Sequence, residues 1–270
     1  MQNPPRLQAP YSINADTWII PMVVPVGPDE FANINSMVIT AKEPVVVDTG
    51  CAINCDQWME DVFGIVDPAD VRWVFLSHGD RDHIGNVEAV LEACPNATVV
   101  STMWGTRYML ADFFPPFERM RWLNDGESFS AGDRTLYAVR PPVWDGVNTR
   151  GLYDTRTGVY WGADAFSSLL THPVTDAHEL DHDFWRESFL YEHRSYCDWL
   201  PMLDADAFDA HVARTENLAR TIASAHGPVL TGDMVGEAYG LPHQIVAMGP
   251  VPAEDQSLLD GMIAAVAAAA

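Results

Sequence analysis

Basic residues are scarce: 15 Lys and Arg stand against 38 Asp and Glu, a formal net charge of −23. A surface so acidic repels phosphate backbones instead of releasing their counterions, which excludes nucleic acid and anionic membrane as partners. Cysteine is sparse too. The four thiols, Cys51, Cys55, Cys94 and Cys197, form no CxxC pair and support neither a disulfide framework nor a thiolate zinc site. No window reaches about 18 uncharged apolar residues, and the opening MQNPPRLQAP lacks the basic, apolar pattern of a secretion signal. The expectation is a soluble, cytoplasmic chain. There is no glycine-rich phosphate loop, no internal repeat and no low-complexity linker.

Apolar residues, by contrast, are plentiful: 48% of the chain is hydrophobic and 10% aromatic, enough to offset the entropy of ordering it. At 270 residues the length suits one sizeable α/β domain or two modest ones. We expect a single domain over 1–270, with 250–270 a peripheral helix or tail. β-branched runs bounded by turn residues predict strands at 17–26, 34–40, 44–50, 71–77, 97–101, 134–139, 150–154 and 158–162. Between them, helices are expected at 56–66, at 85–93 before Pro95, and at 104–113 before Pro115 and Pro116. After residue 165 the pattern turns helical, with Phe208, Val212, Thr215, Ala219 and Ile222 at three- and four-residue spacing and one short strand at 228–230.

Ligand-type side chains are densest in LSHGDRDHIGN (76–86), between a strand and a helix. In an extended chain, positions i, i+2 and i+4 share a face, so His78, Asp80 and Asp82 can converge, and a turn at Asp82 brings His83 round. Gly79 and Gly85 permit the tight backbone this needs. A solvated loop, with an Asp capping the next helix and incidental histidines, is the less favoured reading of so compact a group. The pattern points to metal.

These residues resemble the metallo-β-lactamase fold, whose signature after a strand is HxHxDH; here Asp80 stands in place of the second His. A carboxylate there resembles the flavodiiron proteins and the stand-alone oxygen-binding diiron proteins, which carry HxExDH. NINSMVI (33–39), VVVDTG (45–50), NVEAVLEACPNATVVST (86–102), LNDGESFSAGDRTL (123–136), GADAFSS (162–168) and SAHGPVL (224–230) follow in that family's order. The resemblance implies an α/β fold of αββα type, two mixed sheets packed face to face with helices outside.

It also implies a ligand set. His78 and Asp80 would bind a first metal, Asp82 and His83 a second, Asp164 would bridge the two, and His226 would complete the second site. The remaining ligand, a His in the family, is missing, and the equivalent position falls on Asp145. Asp48 could orient a metal-bound His or simply end its strand. His172, His178 and His182 read best as surface groups, and His193, His211 and His243 have no motif support. Trp144 and Trp161 could wall a pocket, although large aromatics more often pack a core.

Charge balance makes the set coherent. Asp80, Asp82, Asp145 and Asp164 cannot all stay ionised together without cations, and two divalent metals supply four positive charges. Carboxylates and imidazoles without thiolate suit iron or manganese as well as zinc, and the resemblance favours iron. The resemblance implies binding or activation of O₂ or NO at two irons. With the chain ending about forty residues after His226, no FMN domain is expected, and electrons would come from a separate partner. Family members often form homodimers. The rival reading is a metallo-hydrolase acting on an ester, lactone, amide or phosphoester by a metal-bound hydroxide, with Asp82 or Asp145 as the catalytic proton carrier. A third is a sensor or binding module holding one metal at Asp82, His83 and His226.

Overall fold

Alternation decides which way each strand faces. A computed structural model describes residues 5–27, 29–197, 199–216, 218–252, 255–257, 259–261 and 263. The first sheet has seven strands in sequential order: β1 (Tyr11–Ser12), β2 (Thr17–Pro25), β3 (Phe31–Ile39), β4 (Val45–Val47), β5 (Trp73–Phe75), β6 (Thr98–Ser101) and β7 (Met120–Trp122). Strands β1 to β4 pair antiparallel and β4 to β7 parallel, so the sheet is mixed. The second sheet contains β8 (Ser128–Ser130), β9 (Thr135–Val139), β10 (Gly151–Asp154), β11 (Val159–Trp161) and β12 (Thr221–Ala223). It is antiparallel from β8 to β11 and closes with a parallel β11–β12 pair.

Successive residues feed different layers, as a period of two requires. Ile19, Met37, Val45, Val47 and Phe75 point between the sheets, where they meet Phe129, Leu136, Leu152 and Trp161 of the second sheet. Their neighbours Ile20, Val38, Val46 and Val74 point outward. There they are covered by α1 (Cys55–Phe63), through Trp58 and Val62, and by α3 (Val87–Ala93), through Val87, Val90 and Leu91; the short α2 (Arg81–Ile84) precedes α3, and α4 (Met103–Met109) adds Met109. On the far side, Tyr160 and Ile222 face α5 (His182–Tyr196), α6 (Ala205–Ala213), α7 (Asp233–Gly240) and α8 (Pro242–Met248), which contribute Trp185, Phe189, Phe208, Val212, Tyr239 and Ile245. The result is the expected stack of helix, sheet, sheet and helix. Each large apolar side chain buried in these layers contributes about 1.5–3 kcal/mol.

Several expectations need correction. Ile222 does not continue a helix: α6 stops at Ala213, and Ile222 lies in β12, paired with Tyr160. Helical spacing through Thr215 and Ala219 is outweighed by burial of Ile222 against the helices and by the parallel ladder. The predicted 228–230 strand is reduced to isolated bridges, Asp176 with Val229 and Ile222 with Leu230. β1, β7, β8 and β12 were not anticipated. In the 250–270 stretch expected as a peripheral helix or tail, residues 256, 257, 259–261 and 263 are helical. Positions 253, 254, 258, 262 and 264–270 lie outside the described residues. Among the described residues no helix is long and apolar enough to cross a membrane.

Candidate metal centre

Parallel pairing is what gathers the site. Val47 sits opposite Phe75 in β4 and β5, so the chain leaves both strands at one edge, with Asp48 beside the Ser77–His78 segment. Trp161 sits opposite Ala223 in β11 and β12, and three residues beyond each lie Asp164 and His226. The two parallel edges meet at the same end of the sandwich. Asn33 and Asn35 of β3 tie them together by donating to the backbone carbonyls of Ser224 and Gly227. Asp145 arrives on the β9–β10 connection, held to the His78 loop by Arg150 N–H on the Ser77 carbonyl at 2.8 Å.

The 76–86 loop departs from the extended geometry expected of it. Asp80 is extended, but Arg81–Ile84 forms a helical turn whose His83 and Ile84 N–H groups donate to the Asp80 carbonyl. His78 and Asp80 therefore serve one half of the site, and Asp82 and His83 the other. Both glycines of the loop are required by close approach. A Cβ on Gly79 would lie 2.5 Å from Tyr108, and one on Gly85 2.5 Å from Gly50 O and Ala52 N.

Two clusters share one carboxylate. His78, Asp80 and Asp145 place ligand atoms within 4.8 Å of one another, as do Asp82, His83 and His226. Asp164 lies between them: Oδ2 is 3.3 Å from His78 Nε2, while Oδ1 is 3.1 Å from His83 Nε2 and 3.3 Å from His226 Nε2. Asp82 Oδ2 is 3.3 Å from His226 Nε2. Asp145 Oδ2 lies 3.9 Å from His78 Nε2, with its other oxygen accepting from Thr149 Oγ1 at 2.6 Å. All seven residues singled out in the sequence are brought together, Asp145 included.

The supporting hydrogen bonds determine which imidazole nitrogen faces the centre. Asp48, wholly buried, accepts from His83 Nδ1 at 3.0 Å; a carboxylate can only accept, so Nδ1 carries the proton and Nε2 is left for the site. The Ser77 hydroxyl gives its one proton to Asp48 at 2.7 Å, so it can only accept from His78 Nδ1 at 3.0 Å. His226 Nδ1 donates to the Asn33 carbonyl at 2.8 Å. All three rings thus present Nε2, the arrangement by which surrounding groups orient metal ligands. His78 Nε2, His83 Nε2 and Asp164 Oδ1 are buried and make no hydrogen bond. Unsatisfied buried atoms of this kind cost about 1–3 kcal/mol each, and three converging on one space fit a shared cation.

Ionisation follows the same logic. Burial resists charge on Asp164, but His78, His83 and His226 outweigh it and hold the carboxyl well below the usual range. Burial likewise opposes charge on His226, yet Asp164 and Asp82 push its pKa up to about 10, and Asp82, despite its burial, is drawn down to about 2 by His226 and His83. Asp80 is raised by burial, with Asp145 and Asp164 adding to the shift against the pull of His78. Asp82 and Asp164 borrow protonated imidazoles as counterions, a task that metal ions would take over.

Comparison with known proteins agrees with this fold. The sequence pattern of the metallo-beta-lactamase superfamily matches residues 30–155. In structure, the chain superposes on rubredoxin oxygen:oxidoreductase from Desulfovibrio gigas with a TM-score of 0.79, at 14% identity, over 90% of this chain and 62% of that one. The chain has the fold of the metallo-β-lactamase superfamily, and residues 30–155 carry that superfamily's sequence pattern. A 1–254 fragment of a Nostoc sp. protein carrying the name diflavin flavoprotein A 5 also matches this metallo-β-lactamase fold, with a TM-score of 0.72 at 18% identity, over 91% of this chain and 98% of the fragment. In sequence, the chain is 30% identical over 200 residues to a Nostoc sp. protein carrying the name diflavin flavoprotein A 1, covering 73% of this chain and 33% of that protein. The Synechocystis sp. diflavin flavoprotein A 1 is 28% identical over 206 residues, 75% of this chain and 35% of that protein. The chain spans about a third of the length of these curated relatives.

Within this fold, other residues find their places. His172, His178 and His182 lie on the surface with local partners, Thr171, Asp176 with Asp233, and Glu237. Trp161 is wholly buried between the sheets, and its indole N–H donates to Asp48 at 3.0 Å. Trp144 packs on Trp199 and His211 beside Asp145. Sequence reasoning gave no role to Ser77, Asn33, Asn35 or His193, although two asparagines in an apolar strand were a visible signal. Among the described residues, the non-glycine residues at positive φ are Asp48 (55°), Ala163 (55°) and Phe166 (68°), all beside the centre.

Proposed function

We propose that the chain is a non-haem di-metal protein, with iron favoured, that binds or activates O₂ or NO and receives electrons from a partner protein. The observation that carries this is the pair of ligand groups sharing Asp164, with three unsatisfied buried atoms aimed between them. We assign His78, Asp80 and Asp145 to one metal, Asp82, His83 and His226 to the other, and Asp164 to both. The relatives supply the substrate class, since they include rubredoxin oxygen:oxidoreductase and the anaerobic nitric oxide reductase flavorubredoxin of Vibrio vulnificus. When bound, the metals would supply open coordination positions and redox chemistry. The residues fix the three rings and hold Asp164 ionised, while burial raises the pKa of the Asp80 carboxyl. Purified protein from iron-replete medium should contain close to two irons per chain, and the reduced form should change its absorption on exposure to O₂. Stoichiometric zinc with no O₂ response would overturn the proposal.

One observation favours a hydrolase instead. A cleft of about 540 Å³ opens beside Asp82, walled by Cys51, Ile53, Ile84, Val87 and Phe113, and this is the size of a site for an organic ligand. The hydrolase reading predicts zinc-dependent turnover of a chromogenic ester, lactone, amide or phosphoester that is lost in Asp82→Ala and His226→Ala; metal-loaded protein inert toward all four refutes it.

A further inference from the structure

We propose that His193 is a positioning residue for the shared carboxylate, acting through the backbone that carries Asp164; this rests on the metal reading above. His193 sits in the last turn of α5 and is wholly buried. Its Nδ1 lies 2.7 Å from the Phe189 carbonyl, which can only accept, so Nδ1 holds the proton. The Nε2 lone pair of the neutral ring then accepts the Phe166 N–H at 2.8 Å. The same helix end places the Tyr196 hydroxyl on the Asp164 carbonyl at 3.3 Å, where Ser167 Oγ also donates at 2.8 Å.

The segment held in this way is strained. Ala163 and Phe166, on either side of Asp164, have φ of 55° and 68°. Left-handed non-glycine residues persist only where their surroundings over-determine them. The Phe166 N–H has no strand partner, and His193 satisfies it. Packing alone does not need an imidazole here: the ring stacks on Phe189 with centroids 4.0 Å apart, and a phenyl group would do the same. The acceptor nitrogen is what a histidine adds. Asp164 must keep Oδ1 toward His83 and His226 while Oδ2 faces His78, so a small rotation of its backbone would unbalance both halves.

Cobalt(II) titration of the metal-free full chain tests the assignment, with chelator competition for affinity and the visible spectrum for ligand geometry. His193→Phe keeps the stacking and removes the acceptor, whereas Phe189→Leu weakens the packing and keeps His193. The expected result is about a tenfold or greater loss of cobalt affinity and an altered spectrum in H193F, within the range for groups that orient metal ligands. F189L should lower the melting temperature and leave both metal readouts unchanged. If H193F binds cobalt with wild-type affinity and spectrum, the positioning role is overturned while the metal reading stands. A wild type that takes up no metal refutes both. Should H193F not fold, Tyr196→Phe removes only the hydroxyl on the Asp164 carbonyl. A shifted cobalt spectrum in Y196F supports positioning of the shared carboxylate through its backbone from this end of α5, and an unchanged one overturns that route.

Discussion

Replacing Asp48 by Asn tests whether the buried carboxylate, outside the ligand set, sets the geometry inside it. Asn is the suitable substitute because it is isosteric and tolerates the left-handed backbone that Asp48 adopts at φ 55°. Asp48 Oδ1 accepts from Ser77 N at 2.7 Å; Oδ2 accepts from Ser77 Oγ at 2.7 Å and from His83 Nδ1 and Trp161 Nε1 at 3.0 Å each. An amide keeps one acceptor oxygen. Its best orientation serves the three side-chain donors and leaves the Ser77 N–H unsatisfied, at about 1–3 kcal/mol. The three remaining bonds lose their charge assistance and roughly half their strength. Relief of the carboxylate's own burial offsets part of this, so the net loss should be about 2–4 kcal/mol, or roughly 10 °C in Tm. His83 loses its charged anchor, so metal affinity should fall about 10- to 100-fold at the half that includes Asp82 and His226. Urea unfolding of the metal-free protein and chelator competition read the two effects separately. A D48N protein within about 0.5 kcal/mol of wild type, the range of ordinary surface changes, and with unchanged metal affinity would refute the reasoning.

Four further outcomes are expected. On the proposed assignment, Asp80 stands where the family resemblance implies a longer Glu and Asp145 where it implies a His, and both departures would weaken one half: chelator should remove metal in two phases, the His78 half first, and simultaneous loss from both halves would count against the assignment. The metal-free protein should be most stable between about pH 4 and 6.5. Asp82, ordinarily near 3.8 and here about 2, contributes stability that is lost as pH falls through that interval, whereas His226, ordinarily 6.5 and here about 10, contributes stability that is lost as pH rises toward 10. Metal uptake must displace the His226 proton, so cobalt affinity should rise with pH over 7–9; a flat profile by competition titration would contradict this. Gly85→Ala forces a Cβ to within 2.5 Å of Gly50 O and Ala52 N, which should cost about 1–3 kcal/mol in urea unfolding; a neutral effect would mean the loop can relax.

How much of the centre was legible depends on sequence distance. His78, Asp80, Asp82 and His83 are visible because they crowd one short loop, and their division between the two halves is the one expected, although the helical turn at Arg81 takes Asp82 off the face shared by His78 and Asp80. Asp164 and His226 could be reached only through family resemblance, because the β11–β12 register that sets them side by side joins segments about sixty residues apart. β12 itself stayed hidden: three residues of strand carry little periodicity, and the helical spacing of α6 runs on past its end. Trp161 and His193 are invisible for another reason. Each sits among apolar neighbours and works through a single polar atom, and no pattern in the chain distinguishes that from packing.

The central claim is that two metals share Asp164. Anomalous difference maps at the iron edge, from crystals of the iron-loaded protein, test it most directly. Two peaks are predicted, one among His78, Asp80 and Asp145 and one among Asp82, His83 and His226, with the Asp164 carboxylate between them. A single peak, or iron located away from Asp164, would contradict the account.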